Sequence, residues 1–131
     1  MKRVRLVLAL GLLTATIALA VEKVGLVQLA ADPKKYDGKV IETAGGITEF
    51  KQKTSRAGNK YFTFVLVQGD KAKVNVYSQG EAASDLKDGV NVKVIGIYKV
   101  EKKLGTMTFK NEIDATKVKD KPNGIALIPK E

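Results

Sequence analysis

Histidine and cysteine are both missing from this 131-residue chain. That removes imidazole general bases, Ser-His triads, thiol nucleophiles and ordinary zinc sites in one step. Without cysteine there are no disulfides, so stability rests on packing alone. Arginine is nearly missing too: after Arg3 and Arg5 the chain has only Arg56. Bidentate clamps on phosphate, which favour the planar guanidinium, are therefore scarce. The acidic residues offer no better chemistry. Glu81 suits the start of a short helix, Asp88 suits a turn, and Asp85 lies between them. Glu112 and Asp114 share a strand face and could in principle hold a cation, but the reading is of a protein with no metal, no cofactor and no catalytic residues.

What is present begins with a leader. Met1–Arg5 carries Lys2, Arg3 and Arg5, Leu6–Leu19 is an apolar run, and Ala18-Leu19-Ala20 supplies small residues at −3 and −1. This is the pattern of a secretory signal peptide cleaved after Ala20. A membrane anchor is the weaker reading, because spanning takes about 20 apolar residues. No cysteine follows the run to carry a lipid. Cleavage would leave one domain, periplasmic or secreted, with no stable membrane insertion. The whole chain carries a net +9. Without the three leader cations, 20 basic residues face 14 acidic ones, a net +6.

Beyond the leader the chain reads as strands. "VGLVQLAA" (24–31) fits a short amphipathic helix that Asp32-Pro33 ends. A strand runs from Lys39 to about Phe50, and "KQKTSRAGNK" (51–60) reads as a loop. "YFTFVLV" (61–67) is the strongest strand signal. Gln68-Gly69-Asp70 turns the chain into a third strand, Lys71–Ser78. "GEAASDLKDG" (80–89) suggests one or two helical turns, a fourth strand runs to Val100, and a fifth ends near Val118. The expected layout is a leader over 1–20, a helical lead-in over 21–36, a barrel over 37–118 and an extended tail over 119–131.

Within it one strand is written twice. "DGKVIETAGGI" (37–47) and "DGVNVKVIGIY" (88–98) both open Asp-Gly and place a second glycine seven residues after the first. Five strands with a helical insert between the third and fourth suit a small Greek-key barrel. In such a barrel the first and fourth strands bend sharply. Gly45 and Gly96 would mark the bends, since glycine relieves Cβ crowding there.

"YDGKVIETAGGI", "YFTFVLVQGDKAKVNVY", "LKDGVNVKVIGIY" and "EIDATKV" resemble the successive strands of the OB-fold superfamily. The likeness is to its nucleic-acid-binding, tRNA-anticodon or helicase-like branch, and to small exported bacterial OB-fold proteins. It spans roughly residues 32–118. The resemblance implies an all-β, five-stranded Greek-key barrel that binds on the face of strands two and three. Secreted nucleases of this fold need arginines beside metal-binding carboxylates, which Arg56 alone does not supply, and the haem chaperone of cytochrome c maturation needs a histidine, which the chain lacks.

That face would carry Tyr61, Thr63, Lys71, Lys73, Asn75 and Tyr77, with Phe62, Phe64, Leu66, Val74 and Val76 pointing inward. The loop after strand one adds Lys51, Lys53, Arg56 and Lys60, and the loop after strand four adds Lys99, Lys102 and Lys103. Aromatics among cations suit a single-stranded nucleic acid or another polyanion: bases stack on rings and cations track phosphates. Cross-strand tyrosine packing and a solvated lysine surface would give the same pattern. A cell-envelope module binding a protein or glycan is the alternative from another class. Steep salt dependence would favour the first and little salt dependence the second.

Overall fold

The structure is a computed structural model that describes residues 20–116 and 123–129. The expected leader, apart from Ala20, and the expected strand end near Val118 lie outside those residues. The fold is all-β, with seven strands among the described residues where five were expected: β1 (Glu22–Lys23), β2 (Val40–Thr54), β3 (Lys60–Gln68), β4 (Ala72–Gln79), β5 (Asn91–Leu104), β6 (Met107–Asp114) and β7 (Ile125–Leu127). The helix α1 (Leu26–Ala31) is followed by a 3-10 turn over Pro33–Tyr36. Gln28 accepts the Gly25 amide at 3.0 Å to hold the start of α1, and Pro33 opens the turn where a missing N–H costs nothing.

β2 pairs with β3, β3 with β4, β4 in parallel with β6, β6 with β5, and β5 back with β2. These pairings form a closed circuit. β1 adds to β2 in parallel and β7 adds to β5. Phe62, Phe64, Leu66, Val74, Val76, Val92, Val94 and Ile113 fill the interior, and Leu26 and Leu29 of α1 are buried with them.

The written-twice strand has a geometric meaning. β2 pairs with β5 over Val40–Gly46 and with β3 over Gly46–Thr54. β5 pairs with β2 over Asn91–Ile97 and with β6 over Ile97–Leu104. Each long strand changes partner one residue after its glycine. A Cβ on Gly45 would lie 2.6 Å from the Val67 carbonyl oxygen, and one on Gly96 would run into the Asp114 carbonyl oxygen. Only glycine lets the chain cross there.

The Asp-Gly turns bind each other's strands reciprocally. Gly38 N donates to Tyr98 O (2.7 Å) and Tyr98 N to Lys39 O (2.9 Å), while Gly89 N donates to Ile47 O and Ile47 N to Val90 O (both 2.9 Å). Asp37 Oδ1 accepts the Val100 amide and Asp88 Oδ1 the Phe50 amide, each at 2.9 Å. Gly38 and Gly89 sit at φ +81° and +96°, where a side chain would strain the backbone. The pattern slips by one residue at a single place: the position matching Val100 is Glu49, not Phe50. Glu49 has φ 54° and lies where the β2–β3 register shifts, between Thr48 and Lys51. It marks a β-bulge. Asp37→Ala and Asp88→Ala should each lower stability by about 1 kcal/mol. Because the two sites share no partner, the double variant should lose close to the sum in urea melts. A parent-like melt for either would show that the turn does not depend on its carboxylate.

Two expectations are corrected. Residues 80–89 form no helix. Their polar groups go to the β2 edge: Gln52 Oε1 accepts the Ala82 amide at 2.9 Å, Gln52 Nε2 donates to Gly80 O at 3.2 Å, and Asp88 takes Phe50 N. Leu86 is buried to pin the segment. A stretch this short gains more from those bonds than from a marginal helix. The supposed tail also joins the sheet: Ile125 lies opposite Val94 and Leu127 opposite Val92, and Ile95 N donates to Gly124 O at 2.8 Å. Residues 119–122 lie outside the described residues.

Candidate functional site

The bulge at Glu49 decides which side chains reach the outer face of β2. Up to Ile47 the odd-numbered residues point inward, and Ile41, Thr43 and Ile47 are buried. A one-residue insertion reverses the phase. After it Phe50 turns toward the core, with its ring centre 5.8 Å from Phe62 and 6.5 Å from Phe64. Lys51 and Lys53 are exposed. Lys51 lies opposite Thr63, which lies opposite Tyr77; Lys53 lies opposite Tyr61, which lies opposite Gln79. Directly opposed residues share a face. Two cross-strand rows, each starting at a lysine and containing a tyrosine, therefore cross β2, β3 and β4.

The two tyrosines meet. Tyr61 and Tyr77 have ring centres 5.7 Å apart and planes tilted by 37°. Both are half-buried. They line a cleft of about 710 Å³ together with Lys60, Gln79 and Thr116. Thr116 Oγ1 accepts the Gln79 amide at 3.3 Å, and Ala115 N donates to Tyr77 O at 2.9 Å. Gln52 Nε2 donates to Tyr61 O at 2.8 Å, so the same glutamine that anchors residues 80–82 also fixes the Tyr61 backbone.

The expected cations fall into three groups. Lys51 and Lys53 flank the tyrosines on β2, and Arg56 is exposed in the β2–β3 turn. Lys60 is close by but pairs with Glu81 at 3.2 Å, an exposed contact of little energetic weight. Lys73 lies opposite Val67, four residues along β4 from Tyr77, or about 13 Å at strand spacing. Lys71 precedes β4 in the turn, farther still. Asn75 lies between these ends, exposed, and its Nδ2 donates to Lys110 O at 3.1 Å. Lys103 is exposed and 3.8 Å from Glu101, and Lys99 is exposed on β5.

Lys102 is the exception. Its ammonium is 2.6 Å from Glu112 Oε1, 5.3 Å from the Tyr77 ring centre and 5.6 Å from the Phe109 ring centre. Glu112 is only 8% exposed. Glu112 takes Lys102, while Asp114 Oδ1 accepts the Thr116 amide at 3.1 Å. Among the described residues no group of three or more acidic side chains could hold a metal ion. Nor is any helix there long and apolar enough to cross a membrane.

A buried hydroxyl braces the far end of β4. Tyr98 Oη donates to Asn111 Oδ1 at 2.6 Å, and Asn111 Nδ2 donates to Lys73 O at 3.0 Å. Burial, with a smaller push from the Asp37 carboxylate, raises the Tyr98 pKa above its ordinary 10.0. The folded state thus keeps this proton longer than the unfolded chain does. Its contribution to stability is complete below about pH 10 and is lost as pH climbs through the folded-state pKa. Tyr98→Phe should therefore lose less stability than the parent between neutral and strongly alkaline pH, compared by urea melts. Parallel losses would mean that Tyr98 ionises alike in both states.

Comparison with protein families gave no matching family, and comparison with curated proteins gave no match either. Among solved structures, the chain is similar to the crystal structure of a lipoprotein from Klebsiella pneumoniae subsp. pneumoniae, provisionally named nucleic acid-binding. The superposition has a TM-score of 0.52 at 14% identity and covers 88% of this chain and 97% of that one. At that identity the likeness is one of fold alone.

Proposed function

We propose that the chain is an exported, non-enzymatic OB-fold module that binds single-stranded nucleic acid across β2, β3 and β4. The circuit β2–β3–β4–β6–β5–β2, with its last strand inserted between the third and the fourth, supports the OB reading. The observation that carries the function is the Tyr61–Tyr77 pair: two half-buried rings beside a cleft of about 710 Å³, with Lys51 and Lys53 in the same cross-strand rows. Rings offer stacking to any base, and lysines neutralise phosphates without reading sequence. Near absence of arginine suits sequence-tolerant contact better than bidentate recognition. The name of the Klebsiella neighbour points the same way. The leader over residues 1–20 supports export, to the periplasm or beyond.

Charge and stacking should separate. Lys53→Gln should lower the slope of log K against log salt by about 0.7, the value per single-strand phosphate contact. Lys87→Gln, an exposed change outside the site, should leave it unchanged. Fluorescence anisotropy with a labelled oligonucleotide at several salt concentrations measures both. Equal slopes for the two variants would mean that binding follows net charge and not this face.

A further inference from the structure

We infer that Phe109 is a third base-stacking platform, joined to the Tyr61–Tyr77 pair by Lys102, whose charge Glu112 holds so that it orients the rings and does not contact phosphate. This rests on the reading of the β2–β4 face as a single-strand site, and extends it onto the β5–β6 hairpin.

One ammonium lies over two rings from different strands, Tyr77 of β4 and Phe109 of β6. Both distances are within the reach of a cation–π contact. Tyr61, Tyr77, Lys102 and Phe109 therefore form a continuous series, each member within 6 Å of the next by ring centre or ammonium. Phe109 lies opposite Lys102 in the hairpin and keeps part of its ring in solvent. A phenylalanine has no polar atom, so what it can offer a strand is its ring face and apolar contact.

Glu112 explains why Lys102 stays there. A nearly buried carboxylate beside a site for anions would repel phosphate unless a cation neutralised it. Lys102 does so at 2.6 Å, with its side chain 25% exposed against 73% for its neighbour Lys103. Its charge is thus already spoken for. A phosphate would have to compete with Glu112, which is 8% exposed and already holds the ammonium.

The test uses anisotropy on the purified chain, with circular dichroism melts to confirm folding. Phe109→Ala and Phe109→Leu should weaken oligonucleotide binding by about 5- to 150-fold, the range for one stacked base, with an unchanged salt slope. Phe109→Tyr should restore it. Lys102→Gln should not lower the slope by the 0.7 expected of a phosphate contact, whereas Glu112→Gln, which frees Lys102, should raise it by about that amount. Phe109→Leu keeps apolar bulk, so it decides the matter if the alanine variant unfolds. Parent-like binding by Phe109→Leu, with Tyr77→Ala weakened, would overturn this inference and leave the proposed function standing. A Lys102→Gln slope lowered by about 0.7 would also overturn it. If Tyr77→Ala binds like the parent as well, both fall.

Discussion

Gly96→Val should destabilise the fold by about 2–4 kcal/mol, the upper part of the range for forcing atoms into a packed site. The new Cβ has no room: beyond its collision with the Asp114 carbonyl oxygen it would lie 2.7 Å from Ile113 Cγ2. Neither neighbour can yield cheaply. Asp114 belongs to the β6 backbone, paired with Ile97, and Ile113 is fully buried. Relief would require moving β6 away from β5 where β5 leaves β2. With a urea slope of roughly 1–3 kcal/mol/M, the midpoint should fall by at least about 0.7 M. Lys87→Ala, an exposed control, should stay within about 0.5 kcal/mol of the parent. A Gly96→Val midpoint equal to that of the control would mean that the two strands do not cross as closely as described.

Tyr77→Ala should weaken binding by about 1–3 kcal/mol, or roughly 5- to 150-fold. Tyr77 touches both of the features that make the face distinctive, the Tyr61 ring and the Lys102 ammonium. Stacking releases no counterions, so the salt slope should hold while affinity falls. Tyr77→Phe should bind close to the parent, because the ring does the stacking. Isotherms over several salt concentrations, with melts to exclude unfolding, check both. Tyr77→Ala binding like the parent would leave nonspecific charge as the source of attraction and favour the envelope-interaction alternative.

Much of this architecture was legible because its signals are local. Alternation in "YFTFVLV" placed Phe62, Phe64 and Leu66 inside and Tyr61 and Thr63 outside, since a strand has period two. The doubled Asp-Gly units pointed to two strands with one bending problem, and the reciprocal hydrogen bonds give the reason. What was not legible depends on partners distant in the chain. Lys51 and Lys53 read as loop residues because the bulge at Glu49 breaks the alternation just where strand pairing continues to Thr54. Residues 80–89 carry helix-forming Ala, Glu and Leu, but Gln52 bonds the backbone of Gly80 and Ala82, and the Asp88 carboxylate accepts Phe50 N, which ties the segment to the β2 edge. "IALIP" after a polar stretch resembles any tail until β5 is known to have an open edge there. Phe109 went unread as a site residue, and Glu112 was weighed only beside Asp114, because only folding brings the two to Lys102. A lysine, a glutamate and a phenylalanine on neighbouring strands carry no motif. The tyrosine face was legible as a candidate, whereas its extension onto β6 was not.

The most direct measurement compares two ligands of equal charge. An oligonucleotide and an abasic strand of the same length present the same phosphates, but only the first has bases to stack. If the Tyr61–Tyr77 face holds single strands by stacking, the base-bearing strand should bind more than tenfold tighter at the same salt, given about 1–3 kcal/mol per stacked base. That preference should shrink in Tyr77→Ala. Equal affinity for the two strands would contradict the account, because every lysine on the face would then be acting without the rings.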